Sequence, residues 1–123
     1  MDKDLNKIHA LMRQLFGLVH RLEDEAIKAS EFSDLSRAEI SAIMAIGTGR
    51  PKTMTHVANI LEINVSTLTT TINKLVKKGY VERLRDDKDR RIVKIGLSEK
   101  GIAAATERDS FMGELLRGAV EQV

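Results

Sequence analysis

Between Asn64 and Lys78 the apolar residues Val65, Leu68, Ile72, Leu75 and Val76 fall at i, i+3, i+7, i+10 and i+11, which gathers them into one stripe of a helix. The rest of that helix is filled by residues a helix does not favour. Ser66, Thr67, Thr69, Thr70 and Thr71 compete for backbone hydrogen bonds, and the β-branched threonines lose rotamer freedom. A helix is expected there with a hydroxyl-rich face. The same periodicity runs through Leu5, Ile8, Met12, Leu15, Phe16, Val19, Leu22 and Ala26, predicting one long helix over the first thirty residues. Leu11 and Leu18 lie off that stripe and give the helix a second apolar side, as when a helix packs on its own domain and on a partner subunit; a wide core face is the plainer alternative.

Ser36-Arg37-Ala38-Glu39 is a capping box opening a second helix through Ile40, Ile43, Met44 and Ile46, which Gly47 stops. Gly49 and Pro51 mark a loop. Thr55 is the expected N-cap of a short helix carrying Val57, Ala58, Ile60 and Leu61, and after Glu62-Ile63 the residue Asn64 caps the hydroxyl-rich helix. Two helices so joined make a helix-turn-helix, although Glu62 stands where the turn usually has glycine. Gly79 ends the second helix, Tyr80 to Arg85 reads as a strand, and Val93, Ile95 and Leu97 alternate through another. Asp86-Asp87-Lys88-Asp89-Arg90 becomes the hairpin loop, and Ser98 caps a last helix from about Glu99. The fold class is therefore mainly α with a small β-hairpin, α+β: a winged helix-turn-helix.

Charge sharpens this picture. Residues 1–49 hold 6 basic and 8 acidic residues, residues 50–101 hold 12 and 6, and residues 102–123 hold 2 and 4, so net charges of −2, +6 and −2 make up the total of +2. The positive charge is confined to the segment holding the helix-turn-helix, as in a nucleic-acid binder. With 123 residues and 42% hydrophobic content the chain suits one domain. The absence of cysteine excludes disulfides, thiolate nucleophiles and Cys-ligated zinc. No apolar run suits a membrane span or signal peptide, and a cytoplasmic protein is expected.

On the helical projection Ser66, Thr67, Thr70, Lys74 and Lys77 lie opposite the apolar stripe, with Asn73 and Lys78 on its flanks and no carboxylate from Val65 to Tyr80. A solvated helix would more often carry Glu–Lys pairs. A helix fits the major groove of B-DNA, where small hydroxyl residues let the backbone approach, Thr methyls touch thymine and Asn bonds adenine in bidentate fashion. Lysines further along would neutralise phosphates. In the hairpin loop Lys88, Arg90 and Arg91 suit phosphates and the narrow minor groove of A·T-rich DNA. Asp89 is expected to orient Arg90 by bidentate pairing. The candidate DNA-binding set is Thr55, Ser66, Thr67, Thr70, Asn73, Lys74, Lys77, Lys88, Asp89, Arg90 and Arg91.

The stretch TMTHVANILEINVSTLTTTINKLVKKGYVERLRDDKDRRIVKIGLSEKG resembles the winged-helix core of the MarR family of bacterial transcriptional regulators. Asp86-Asp87-Lys88-Asp89-Arg90-Arg91 matches that family's Asp-x-x-Asp-Arg-Arg wing, Leu97-Ser98-Glu99-Lys100-Gly101 matches the Leu-Thr/Ser-x-x-Gly that follows, and the likeness extends back over FSDLSRAEISAIMAIG. The resemblance implies a homodimer, with residues 1–30 and 102–123 as dimerisation helices around a DNA-binding core at 34–101. It gives Ser66, Thr67, Thr70, Asn73 and Lys74 the recognition-helix roles and Arg90 the minor-groove role. Family members run further, through a second C-terminal helix, whereas this sequence stops at Val123; a truncated chain or a reduced dimer is expected. Without cysteine the peroxide-sensing branch is excluded.

From Phe16-Gly17-Leu18-Val19 through Ala29 to Ser36 the chain looks like the family's repressors of fatty-acid synthesis genes, which implies an acyl chain, presented by acyl carrier protein, as a small-molecule corepressor. No cofactor or metal is expected: His9, His20 and His56 are scattered, and His20 with Glu23 or Asp24 reads as a polar surface face. An enzyme is disfavoured by the lack of catalytic motifs, and an RNA binder by the lack of an aromatic stacking platform. A winged helix used only for protein contacts is the remaining alternative.

Overall fold

Helices start where a side chain can take their first unpaired N–H groups, and this chain supplies such a side chain repeatedly. The computed structural model describes residues 2–121, the side chains of residues 119 and 120 excepted. It contains α1 (Asp2–Ala29), α2 (Arg37–Ile46), β1 (Lys52–Thr53), α3 (Met54–Leu61), α4 (Val65–Lys78), β2 (Val81–Arg85), β3 (Val93–Leu97) and α5 (Glu99–Glu121). Residues 122 and 123 of the expected last helix lie outside the described residues. Ser36 forms the capping box of α2: its Oγ accepts from Glu39 N–H at 3.2 Å and its own N–H donates to Glu39 Oε1 at 2.9 Å. Asn64 Oδ1 accepts from Thr67 N–H at 2.8 Å to cap α4, and Ser98 Oγ accepts from Gly101 N–H at 3.2 Å beside the start of α5.

The N-cap of α3 is Thr53, not Thr55. Thr53 Oγ1 accepts from His56 N–H at 3.2 Å, and Thr55 sits exposed in the helix's first turn. The cause is a strand that two residues cannot announce by periodicity. Lys52 and Thr53 pair antiparallel with Ile95 and Lys94, which holds Thr53 extended until the helix begins. The sheet therefore has three strands, in the order β1-β3-β2. In the hairpin Val81 faces Leu97, Arg83 faces Ile95 and Arg85 faces Val93. Tyr80, expected in the strand, instead lies fully buried ahead of it, its N–H donating to Leu75 O at 2.9 Å.

Helix ends also follow from local chemistry. Gly79 closes α4 at φ 88°, a left-handed conformation natural to glycine. Glu62 closes α3 at φ 57°, ψ 41°, so it adopts the conformation its missing glycine would have taken, at a cost of about 1 to 2 kcal/mol.

The chain divides into two compact units, Met1–Leu35 and Ser36–Val123. In the second unit, the apolar stripes converge on one core: Ala42, Ile43 and Ile46 of α2, Val57 and Ala58 of α3, Leu68, Ile72 and Leu75 of α4, with Tyr80, Val81, Ile95, Ala104 and Ala105. Ile60 and Val65, placed on apolar faces by periodicity, remain exposed. In the first unit α1 leaves Leu5, Ile8, Leu11, Met12, Leu15, Phe16 and Leu18 exposed in the single chain. Glu23 does not sit on the polar surface expected for it. It is buried, four residues after Val19 and three before Ala26, on the more shielded side of α1.

Candidate nucleic-acid interface

The core residues of α4 occupy one side of the helix, which leaves the other side to solvent. Leu68, Ile72 and Leu75 are fully buried, while Ser66, Thr67, Thr70, Asn73, Lys74 and Lys77 are all exposed. The hydroxyls are not idle in this state: Thr69 Oγ1 donates back to Val65 O at 2.8 Å, and Thr70 and Thr71 make longer contacts to Ser66 O and Thr67 O at 3.4 and 3.5 Å. Such back-bonding satisfies a threonine hydroxyl locally and holds it only weakly where the distance is long.

Lys78 faces away from any such role. Its ammonium donates to Glu39 Oε1 at 2.9 Å and lies 2.9 Å from Oε2, tying the last turn of α4 to the first turn of α2. Burial by itself pushes the Glu39 carboxyl up, but the hydrogen bonds from Lys78 and from Ser36, with the Lys78 charge, outweigh it and hold the group below the usual carboxylate range.

The hairpin loop is built from its own carboxylates. Asp86 N–H donates to Ile92 O at 3.0 Å and Ile92 N–H to Asp89 O at 3.0 Å, which closes the turn. Asp86 Oδ2 accepts from Asp89 N–H at 3.1 Å, and its Oδ1 lies 3.7 Å from Lys94 Nζ. Asp89 does not pair with Arg90. Its carboxylate takes Arg91 in a fork, Nε to Oδ1 and Nη2 to Oδ2 both at 3.0 Å, and also accepts the Arg91 N–H at 3.1 Å. The i to i+2 spacing lets one carboxylate hold both the backbone and the guanidinium of Arg91, which the adjacent residue Arg90 cannot match. The Arg91 hydrogen bonds lower the Asp89 pKa, and the same pairing raises that of Arg91. Arg90 is exposed, and its carbonyl accepts from Arg85 Nη1 at 2.7 Å, which braces the loop against its strand. Lys88 is exposed at the tip.

Two arginines escaped the sequence reading. Arg85 braces Arg90, and Arg83 Nη2 donates to Asn73 Oδ1, linking β2 to the exposed side of α4. Strand alternation carried the signal: Val81, Arg83 and Arg85 share one face, and Val81 is buried in the core.

Behind the interface, the end of α4 is joined to the start of α5. Ser98 N–H donates to Tyr80 O at 3.0 Å, Lys100 Nζ donates to Lys78 O at 3.1 Å, and the same ammonium lies 4.4 Å from the Tyr80 ring centroid. A Cβ at Gly101 would sit 2.1 Å from Tyr80 O, so the closeness of this joint requires glycine. Among the described residues no group of three His, Cys, Asp or Glu side chains is placed to hold a metal, and no helix is long and apolar enough to cross a membrane.

Comparison with known proteins fits this geometry. A family model described as MarR family matches residues 33–92. The chain is 31% identical over 94 residues to the uncharacterized HTH-type transcriptional regulator YpoP of Bacillus subtilis, covering 76% of this chain and 64% of that protein, so it spans just under two thirds of YpoP's length. It is 34% identical over 100 residues to the HTH-type transcriptional regulator SarZ of Staphylococcus saprophyticus, covering 77% and 68% respectively. Its fold is similar to that of Streptococcus pneumoniae FabT solved in complex with DNA, with a TM-score of 0.91 and 29% identity over 96% of this chain and 82% of FabT.

Proposed function

Because this chain belongs to the MarR family, we propose that it is a sequence-specific regulator of transcription that binds double-stranded DNA, working as a homodimeric repressor on pseudo-palindromic operators. The observation that carries this reading is the exposed, carboxylate-free side of α4, linked through Arg83 to a hairpin whose loop leaves Lys88, Arg90 and Arg91 exposed while Asp86 and Asp89 are consumed in shaping it. In the major groove Ser66, Thr67 and Thr70 meet base edges while Lys74 and Lys77 meet phosphates; in the minor groove Arg90 enters, with Lys88 and Arg91 on the flanking backbone. Thr55 contributes from the first turn of α3. FabT was solved with DNA, and the likeness of this chain to it supports the same class of ligand and a place near FabT within the family.

The exposed apolar residues of α1, Leu5 at 63% and Phe16 at 55% among them, support self-association, as does Leu116 of α5 at 61%. A two-fold dimer calls for half-sites about one helical turn apart. Its relatives are regulators rather than enzymes, and a cytoplasmic location follows from work on DNA. The sequence likeness to fatty-acid-synthesis repressors supports an acyl chain on acyl carrier protein as corepressor; addition of that acylated carrier should tighten operator binding.

Competition between operator and random duplex tests the main reading. Thr70→Ala should cost roughly 1 to 3 kcal/mol on the operator and little on random DNA, whereas Lys74→Ala should weaken both and lower the salt slope by about one. Equal losses on both DNAs for both variants, or no salt-dependent binding at all, would return the fold to a protein-contact module.

A further inference from the structure

Asn73 is the one exposed amide on the outer side of α4, and the usual expectation for such a residue is a bidentate bond to adenine. That bond needs both ends of the amide at once. The carbonyl must accept from adenine N6–H while the NH2 donates to N7. Here one of the two acceptor positions on the carbonyl is already taken, because Arg83 Nη2 donates to Asn73 Oδ1.

The orientation of an Asn amide is ordinarily ambiguous, since its oxygen and nitrogen look alike. The partner removes the ambiguity in this case. A guanidinium has five donors and no acceptor, so the amide atom facing it must be the oxygen, and the NH2 is turned the other way. The charge beside Oδ1 also opposes a second donor approaching the same oxygen, which is what adenine N6–H or cytosine N4–H would be. The groups best placed to meet a base are therefore the two N–H donors of the outward NH2. Guanine offers two major-groove acceptors, N7 and O6, and thymine offers O4.

Arg83 reaches Asn73 for a reason written in the sheet. It stands opposite Ile95, a fully buried residue of the central strand, and one position of alternation beyond buried Val81, so it shares their face of the hairpin. Both Arg83 and Asn73 are exposed, so the pair is open to a ligand and costs no buried charge.

We propose that Arg83 is a positioning residue that locks the Asn73 amide with its NH2 outward, so that Asn73 selects guanine, and after it thymine, in preference to adenine in the major groove. This rests on the major-groove reading of α4 and adds to it a residue that sets specificity without reading a base itself.

Enrichment from a library of random duplexes, with the full chain as selector, tests the proposal without knowledge of the operator. Wild type should enrich guanine at one position of each half-site by about tenfold over adenine. Arg83→Lys should keep that preference, because an ammonium also only donates. Arg83→Met should lose it and move the same position toward adenine, the base a freed amide bonds best. Asn73→Ala should flatten that position whichever residue stands at 83. The proposal is overturned if Arg83→Met keeps the guanine preference while binding all sequences more weakly with a salt slope lower by about one, the mark of a phosphate contact. It is overturned equally if the two sites alter different positions of the enriched sequence. Wild type enriching no sequence would instead bring down the major-groove reading itself, a result separable from the other two because it needs no variant.

Discussion

Helix α4 and the hairpin loop at residues 86–91 are held by opposite kinds of interaction. Helix α4 is anchored through Leu68, Ile72 and Leu75, all fully buried, and closed at its ends by Asn64 and Gly79. The loop from Asp86 to Arg91 buries no apolar side chain; its shape comes from carboxylates bonded to N–H groups and to Arg91 at the surface. Apolar burial offers no group to titrate and no charge to screen, whereas exposed ion pairs are weakened by both acid and salt. Helix α4 is thus fixed by contacts that carry no charge, and the loop is held in a form that solution conditions can loosen.

The largest expected effect attacks the helix side of this contrast. Leu75→Ala should lower stability by about 2 to 5 kcal/mol, read as a lower urea midpoint with an unchanged slope. A loss below about 1 kcal/mol would mean that α4 is not fixed by its burial and would erase the contrast.

A smaller effect concerns Glu39, the charged contact that also serves α4. Glu39→Gln keeps an acceptor for the Ser36 cap and removes the charge facing Lys78, at a cost of about 1 to 2 kcal/mol near neutral pH. Since the folded-state pKa of Glu39 is lowered, its contribution is present above the ordinary carboxylate range and is lost as pH falls through the lowered value. Urea midpoints across that acidic range should converge for wild type and Glu39→Gln; a constant gap at every pH would show that the charge does not matter.

The smallest effect belongs to the wing. Asp89→Asn should leave the urea midpoint in place and weaken operator binding by about threefold, by releasing Arg91 and the turn it closes. Tighter binding would mean that the carboxylate only repels DNA. Arg90→Ala should lose most affinity on A·T-rich flanks and little on G·C-rich ones, and a uniform loss would remove Arg90 from the minor groove.

What could be read in advance followed the range of the interactions. The Ser36 capping box, the Asn64 cap, Gly47 and Gly79 are settled within one helical turn, and the sequence displays each of them. The exposed side of α4 was legible because a periodic apolar stripe also defines what it excludes. The strand Lys52–Thr53 was not, because its pairing with β3 is a property of residues some forty positions away, and losing it moved the expected cap to Thr55. Lys78 looked like one more flank lysine until its partner, 39 residues distant, was in view. In the loop the residue types were right and the pairing was not: Asp89 takes Arg91 because a carboxylate can reach backbone and side chain together at i+2, a rule of turn geometry rather than of charge pattern.

The joint at Gly101 gives α5 a mechanical character. With the Tyr80 carbonyl filling the space a side chain would need, and with Ser98 and Lys100 gripping the end of α4, there is no slack between the two helices. A helix of 23 residues is about 35 Å long, so α5 is a stiff lever whose fulcrum is its own first turn. A tilt of α5 would therefore press on Tyr80 and the end of α4. A side chain at position 101 would pry that bearing open and let the lever swing free of its load.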